Sequence, residues 1–340
     1  MSQDPPSDRV ELSLCISTYL SCDYLRACLT SVYLYPPACS YEIVVVNDYS
    51  GDGTAEMVQE EFPEVIFIEN QEQVGNCKAY NMGFQHSRGQ YILLLDADAE
   101  LIMDTVKSLM DFMYTHPDAG MVTCRLVYPD GSPQPSGQRY LSIRRLIWQR
   151  LVALLRLPID IYHHRYRNYD AVEEVDDVPF TCLLIRRELG EPDGYLDGNI
   201  FLFYPDVDLS YRVRSEGWKI YQIPYCKVLH HRGINRKKPS VRVIVNGYRD
   251  EVYFFKKWYA SYQVFFLKLI QTTEIMIRMV CWTGAYLMRI EQREMMQERC
   301  RGGITILKFI WFDQGVPPTR HPLPADDTHK TPASKSPQAR

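Results

Sequence analysis

Residues 90–98 read QYILLLDAD, and the rest of the chain can be read as a frame around the last three of them. Tyr91, Ile92, Leu93, Leu94 and Leu95 form an unbroken apolar run of strand length, the pattern of a strand covered on both faces of a parallel sheet. Asp96 and Asp98 follow at once. Charges at the carboxyl end of such a strand open into the crevice where open α/β sheets bind ligands. The Asp-x-Asp spacing lets both carboxylates reach one hard cation, and Mg²⁺ or Mn²⁺ held in this way completes its shell with substrate phosphate and water. The competing reading is structural, because Asp at a strand-to-helix turn commonly caps backbone N–H groups. An isolated Asp-x-Asp is more often that, so the surroundings must decide.

Upstream, residues 12–17 (LSLCIS) read as a first strand and 23–34 as a helix with Asp23 as its N-cap, stopped by Pro36 and Pro37. A second buried strand over 41–46 ends in a Gly- and Asp-rich turn, with Thr54 placed to cap a helix from Ala55. A third strand, 65–69, and a helix, 75–86, lead into QYILLLDAD. This alternation predicts an α/β fold with a Rossmann-like, mostly parallel sheet, right-handed crossovers and flanking helices. Downstream the pattern gives a helix over 104–115, a strand over 119–126, a loop-rich passage from Pro129 to Gly137 and a basic helical segment over 143–157. A strand over 180–186, a helix over 206–216 opening on Asp206 and Asp208, and a strand over 219–223 follow, then Val228-Leu229-His230-His231.

The composition is that of an ordinary globular enzyme: 340 residues, 46% hydrophobic and 24% charged. A net charge of −4 argues against nucleic acid as a partner. The stretch from Lys227 to Arg249 nevertheless carries seven Lys and Arg and no acidic residue, which suits an anionic ligand. Ten scattered cysteines without paired spacing, and no apolar leader, favour reduced thiols, a cytoplasmic enzyme body and at most a place on the cytoplasmic face of the membrane.

Organisation is read as a loose end over 1–9, a catalytic domain over 10–249, a C-terminal amphipathic helical region over 250–316 and a disordered tail over 317–340. From Arg249 to Phe312 there are ten Lys and Arg against six Asp and Glu, set among many aromatic and aliphatic residues. Two readings of this region stand side by side: peripheral membrane contact through 250–312, or helices packed on the catalytic domain or on a second subunit of a homodimer.

Taken jointly, the strand ends deliver Ser17-Thr18-Tyr19, Asn47-Asp48 and Asp96-Ala97-Asp98 along one edge of the sheet. An aromatic face can stack on a nucleobase and a carboxylate can accept a base N–H, so this edge reads as a nucleotide pocket beside a metal site. The sequence at this point resembles the inverting, GT-A-fold family-two glycosyltransferases, and more narrowly their rhamnosyltransferase-like members. The resemblance is carried by ISTY (16–19), EIVVVNDYSGDGT (42–54), YNMGFQHSRGQYILLLDADAEL (80–101), YPDGSPQPSGQRY (128–140), FTCLLIRRE (180–188), FYPDVDLSYRVRSEGWKI (203–220) and VLHHRG (228–233), in that order.

The resemblance implies a GT-A domain with a C-terminal helical extension, a nucleotide-diphospho-sugar donor and a glycan or lipid-linked acceptor. It implies that Tyr19 and Asp48, with Ser17 and Lys78 nearby, hold the donor. Asp96 and Asp98 would bind a divalent metal, Mn²⁺ or Mg²⁺, completed by His230 or His231, with Asp96 also meeting the donor. Asp206 matches the family's catalytic base, the carboxylate that takes the acceptor hydroxyl's proton in an inverting transfer. This chain departs from the pattern at Pro205, Asn47, Tyr80 and Leu20. Two functions of different class follow: a transferase using dTDP-rhamnose or a UDP-sugar in cell-surface polysaccharide synthesis, or a weakly active donor-binding scaffold subunit of such a machine.

Overall fold

The computed structural model describes residues 10–134, 145–148, 150, 170–190, 192, 194–201, 203–231, 241–289 and 293–312. The expectations for 1–9 and 317–340, for the basic run over 232–240 and for most of the helix over 143–157 lie outside them.

The first four strands are β1 (Leu12–Thr18), β2 (Tyr41–Asn47), β3 (Ile66–Glu69) and β4 (Tyr91–Asp96), separated by α1 (Cys22–Leu34), α2 (Thr54–Glu61) and α3 (Asn76–Gln85). They lie side by side in the order β3-β2-β1-β4, all parallel, as the alternation predicts. The apolar run of β4 is sandwiched because its side chains alternate between two cores. Leu93 and Leu95 join the core under α1 and α4 (Thr105–Thr115), while Ile92 and Leu94 join the one under α3. Gly89, just before β4, lies so close to β1 that a Cβ there would stand 2.5 Å from the Ser13 nitrogen. The chain therefore needs glycine at that crossing.

The remainder is less regular than the sequence pattern. After Asp96 the chain makes a turn into a short strand, β5 (Ala99–Leu101), and not into a helix, so the capping reading of Asp96 and Asp98 does not apply. β6 (Ala119–Val127), β7 (Pro133–Gln134), β8 (Glu173–Glu174), β9 (Cys182–Arg186) and β10 (Lys219–His230) complete the sheet, with α5 (Pro205–Ser215) between the last two. β9 runs antiparallel between β4 and β6, which makes the sheet mixed. β10 extends well past Ile223, because its far end pairs with β5 through Val228, Leu229 and His230. That pairing carries His230 back to the Asp96 end of β4. Two caps differ from the sequence reading: Ser21 precedes α1 while Asp23 pairs with Arg26 inside its first turn, and Thr54 begins α2 itself.

Among the described residues, three C-terminal helices follow: α6 (Val241–Trp258), α7 (Ser261–Leu287) and α8 (Arg293–Phe312). The division expected between 249 and 250 falls inside α6, and the polar side chains buried on that helix explain why. Asp250 accepts the backbone N–H groups of Phe201 and Phe203 at 3.2 and 3.0 Å, and Glu251 accepts the Tyr204 hydroxyl at 2.8 Å. Lys257 donates to Asp197 and Asp208 at 2.9 and 2.8 Å, and Trp258 Nε1 to Asp208 at 2.6 Å. Charges this buried are tolerated only when paired, so α6 is bolted to the sheet domain.

Candidate functional site

The β1, β2 and β4 ends share one edge by register: Ser17 pairs with Val46 on one side and Asp96 on the other, and Thr18 pairs with Asn47. At that edge one ligand atom each from Asp96, Asp98 and His230 lies within 4.8 Å of the others. Burial, then the adjacent Asp98 carboxylate, raises the Asp96 carboxyl above its ordinary range, opposed by His230, Thr181 and Tyr80. The His230 Nδ1 lies 2.6 Å from the Gln134 Oε1. A ring nitrogen facing a carbonyl oxygen donates, so neutral His230 keeps its lone pair on Nε2, which stands 3.4 Å from Asp98 Oδ1. Two electron-rich atoms thus face each other beside a second carboxylate, an arrangement that a cation between them relieves. Carboxylates with one imidazole suit Mn²⁺ well, so these residues fit a divalent metal.

His231 does not join them. Successive residues of a strand point to opposite sides, and His231 Nε2 turns to Glu100 Oε1 at 2.5 Å, its ring edge-on to Tyr24. Of the two histidines between which the sequence left the choice open, His230 is the one brought to the carboxylates.

Asp206 sits half-buried at the head of α5. Its Oδ1 accepts the Val207 N–H at 2.9 Å. Burial pushes its carboxyl up to about 6, with the charge of Asp96 adding to the rise. Asp208, about 200° further round the helix, turns inward to Lys257 and Trp258 of α6. Asp177, which the sequence reading passed over, is buried beside the same helix and accepts the Ser210 hydroxyl at 3.3 Å. Ser210 lies one turn below Asp206, so both carboxyls share a face of α5. Burial and then the Asp206 charge push the Asp177 carboxyl well above the ordinary carboxylate range.

The nucleotide side is mixed. Tyr19 and its neighbour across the edge, Tyr49, are exposed and present aromatic faces to solvent. The loops bearing them are tied together by Leu20 N–H to Ser50 Oγ (2.8 Å) and Cys22 N–H to Asp52 Oδ2 (3.0 Å). Ser17 is half-buried next to Asp96 in register. Asp48 is buried and already holds the β3–α3 loop, accepting from Asn70 Nδ2, the Val74 N–H and the Gly75 N–H at 3.0, 2.8 and 2.9 Å. Gly75 makes this turn with φ +92°. A carboxylate offers about four acceptor positions, so Asp48 keeps one, on Oδ2. Lys78 is exposed on α3 and lies against Gly198, in the loop that leads to Asp206.

Tyr80, singled out by sequence only as a departure, has a buried hydroxyl 3.0 Å from Asp96 Oδ1 and 3.2 Å from the Leu95 carbonyl, so it steadies the first metal carboxylate. Gln134 does the same for His230. Neither role has a linear signature, since each depends on two segments meeting. Backbone strain marks the same places: among the described residues, left-handed non-glycine residues are Leu20, Tyr49, Tyr204 and Arg289. The first three adjoin Tyr19, Asp48 and the Pro205-Asp206 helix start. Each costs roughly 1–3 kcal/mol and persists only where the surroundings enforce it, as is common at functional sites.

Comparison with known proteins agrees with this geometry. The sequence model described as "Glycosyl transferase family 2" matches residues 13–189. An N-acetylglucosaminyl-diphospho-decaprenol L-rhamnosyltransferase of Mycobacterium tuberculosis is 24% identical over 203 residues, 56% of this chain and 66% of that protein. A poly-beta-1,6-N-acetyl-D-glucosamine synthase of Staphylococcus aureus is 23% identical over 183 residues, 53% of this chain and 40% of that protein. The chain thus spans less than two thirds of the length of these curated relatives. Among solved structures, the mannosyltransferase PcManGT from Pyrobaculum calidifontis in complex with GDP-Man and Mn²⁺ is similar with a TM-score of 0.54 at 17% identity, over 90% of this chain and 88% of that one. GalNAc-T7 with UDP, GalNAc and Mn²⁺ is similar with a TM-score of 0.55 at 16% identity, over 74% of this chain and 49% of that one. The fold is therefore GT-A, and since the family match takes in just over half of its residues, the chain belongs to glycosyl transferase family 2.

Proposed function

We propose that the protein is an inverting glycosyltransferase that moves a sugar from a nucleotide-diphospho-sugar, dTDP-rhamnose or a UDP-sugar, to a hydroxyl of a glycan or lipid-linked glycan in cell-surface polysaccharide synthesis. The observation that carries the reading is the convergence of Asp96, Asp98 and His230 within 4.8 Å of one another, with Asp206 near enough to feel the Asp96 charge. The relatives' names support the class of acceptor. The donor-bound neighbours support a nucleotide-sugar partner.

In this reading Tyr19 stacks on the base, the remaining Oδ2 position of Asp48 accepts a base N–H, and Lys78 meets phosphate. Asp96, Asp98 and His230 hold the metal, steadied by Tyr80 and Gln134. A bound divalent cation supplies neutralising charge for the departing nucleoside diphosphate. Asp206 carries the proton chemistry: the acceptor oxygen attacks the anomeric carbon, the sugar–phosphate bond breaks, and the hydroxyl proton passes to the carboxylate. A carboxyl at about 6 is largely ionised at neutral pH yet more basic than an ordinary one, which suits that task.

The test is a thermal-shift screen of nucleotide-sugars with and without Mn²⁺, followed by transfer assays with the stabilising donor. A ligand that binds the native state raises its apparent stability, so one nucleotide-sugar family stabilising the protein only with metal is the expected result. Failure of every donor to stabilise it with Mn²⁺ or Mg²⁺ would sink the proposal. Donor binding without transfer to any acceptor would instead favour the scaffold subunit.

A further inference from the structure

Asp206 is the second residue of α5, so whatever fixes the first turn of that helix fixes where its carboxylate points. Tyr204 sets that turn. It leads into the helix at φ 70° and ψ 8°, in the left-handed region, directly before Pro205. A following proline biases a residue toward extended backbone, and a bulky L side chain is strained at positive φ, so local preference opposes the observed turn. Contacts from elsewhere must hold it.

Those contacts come from α6. Asp250 accepts the Phe201 N–H on Oδ1 and the Phe203 N–H on Oδ2, which fixes the backbone just before Tyr204. Glu251, the next residue, accepts the Tyr204 hydroxyl on Oε1 at 2.8 Å. The Phe254 ring stacks on the Tyr204 ring, with centroids 5.4 Å apart and planes 20° from parallel. Glu251 is itself held: it is buried, and its other oxygen, Oε2, receives Gln271 Nε2 of α7 at 2.6 Å and pairs with Arg150. A carboxylate anchored in this way cannot follow the hydroxyl if the turn shifts, so the bond resists the shift. Burial, then the Glu251 charge, moves the Tyr204 phenol well above its ordinary range, so it keeps the proton that it donates.

A second hydroxyl bond at the same junction serves as a contrast. Tyr211, further along α5, meets the hydroxyl of Tyr259, just past the end of α6, at 2.7 Å. It ties the two helices together without touching the turn that carries Asp206.

We propose that Tyr204 and Glu251 are positioning residues for the transfer, the bond between them locking the strained turn that aims Asp206. This rests on Asp206 being the base, and it makes the C-terminal helices part of the working site.

The test is Tyr204→Phe, which removes one oxygen atom and keeps the stacked ring, beside Tyr211→Phe, which removes the comparable hydroxyl further along α5. Hydrogen exchange reads the turn without any substrate. The Phe203 amide, and the Asp208 amide that bonds the Tyr204 carbonyl at 2.9 Å, should exchange faster in Tyr204→Phe and at the wild-type rate in Tyr211→Phe. Turnover is then followed as release of nucleoside diphosphate from dTDP-rhamnose, or from whichever UDP-sugar stabilises the wild type with Mn²⁺. In Tyr204→Phe kcat should fall roughly 10–100-fold, because a misplacement of about 1 Å can cost about 10²-fold. Its donor KM and Mn²⁺-dependent thermal shift should stay at wild-type values. Tyr211→Phe should lose a similar amount of Tm and no kcat. Unchanged exchange in Tyr204→Phe would overturn the lock, and faster exchange with unchanged kcat would overturn its part in the transfer. Asp206→Asn separates this proposal from the reading beneath it: a slow Asp206→Asn with a normal Tyr204→Phe sinks the proposal alone, whereas a normal rate in Asp206→Asn sinks the base assignment and the proposal with it.

Discussion

Replacing Asp206 with Asn removes a carboxylate that the fold disfavours, so activity and stability should move in opposite directions. Burial raises this carboxyl from 3.8 to about 6. A raised carboxyl favours the protonated form in the native state, so its contribution to stability is fully present below 3.8 and is lost as pH rises through about 6. By pH 7 the native state bears the whole cost of ionisation, on the order of 3 kcal/mol for a shift of about two pH units at 1.36 kcal/mol each, an upper figure because the side chain is partly wet. Asp206→Asn, which is never charged, should therefore raise Tm at pH 7 by several degrees, at about 2 °C per kcal/mol, and the gain should vanish near pH 4. Melting curves of the EDTA-treated protein across that range measure this without interference from metal. In the same variant turnover should fall roughly 10²–10⁴-fold, while donor affinity holds. The wild-type kcat/KM should carry an acid limb centred near 6, so that the rate at pH 5 is roughly a tenth of that at pH 7. A variant that is less stable at pH 7, or equally stabilised at pH 4 and 7, would refute the burial argument. One that transfers sugar at the normal rate would refute the assignment of the base.

Further expectations concern the neighbours of that group. Asp98→Ala should abolish Mn²⁺-dependent nucleotide binding in a folded protein, and His230→Ala should weaken it while His231→Ala does not; calorimetry of Mn²⁺ and nucleotide reads all three. Tyr80→Phe, which deletes only the hydroxyl beside Asp96, should lower metal affinity by about tenfold or more, against an unchanged circular dichroism spectrum. Lys257→Met leaves Asp208 and Asp197 without their cation and should cost about 3–5 kcal/mol in denaturant unfolding; a loss under 1 kcal/mol would show that α6 does not hold the segment from Asp197 to Asp208.

The sequence by itself determined the half of the molecule in which local pattern and tertiary neighbours agree. An apolar run such as Tyr91–Leu95 is specific for a strand covered on both faces, and β1 to β4 with their helices follow from such runs and from the turn residues between them. The strand-end polar groups were legible for the same reason, since a parallel sheet must deliver Ser17, Asp48 and Asp96 to one edge. Tertiary structure alone decided what depends on strands meeting at long range. β9 enters antiparallel between β4 and β6, and nothing in CLLIR encodes its direction. β10 runs on to pair with β5, and only that pairing selects His230 over His231 by the alternation of the strand. The roles of Tyr80, Gln134 and Asp177 have no signature in sequence because each acts through a hydrogen bond to a residue in another segment of the chain. The C-terminal helices make the point most sharply: their composition alone allows packing or exposure, and only the buried grip of Asp250, Glu251 and Lys257 shows that α6 is packed.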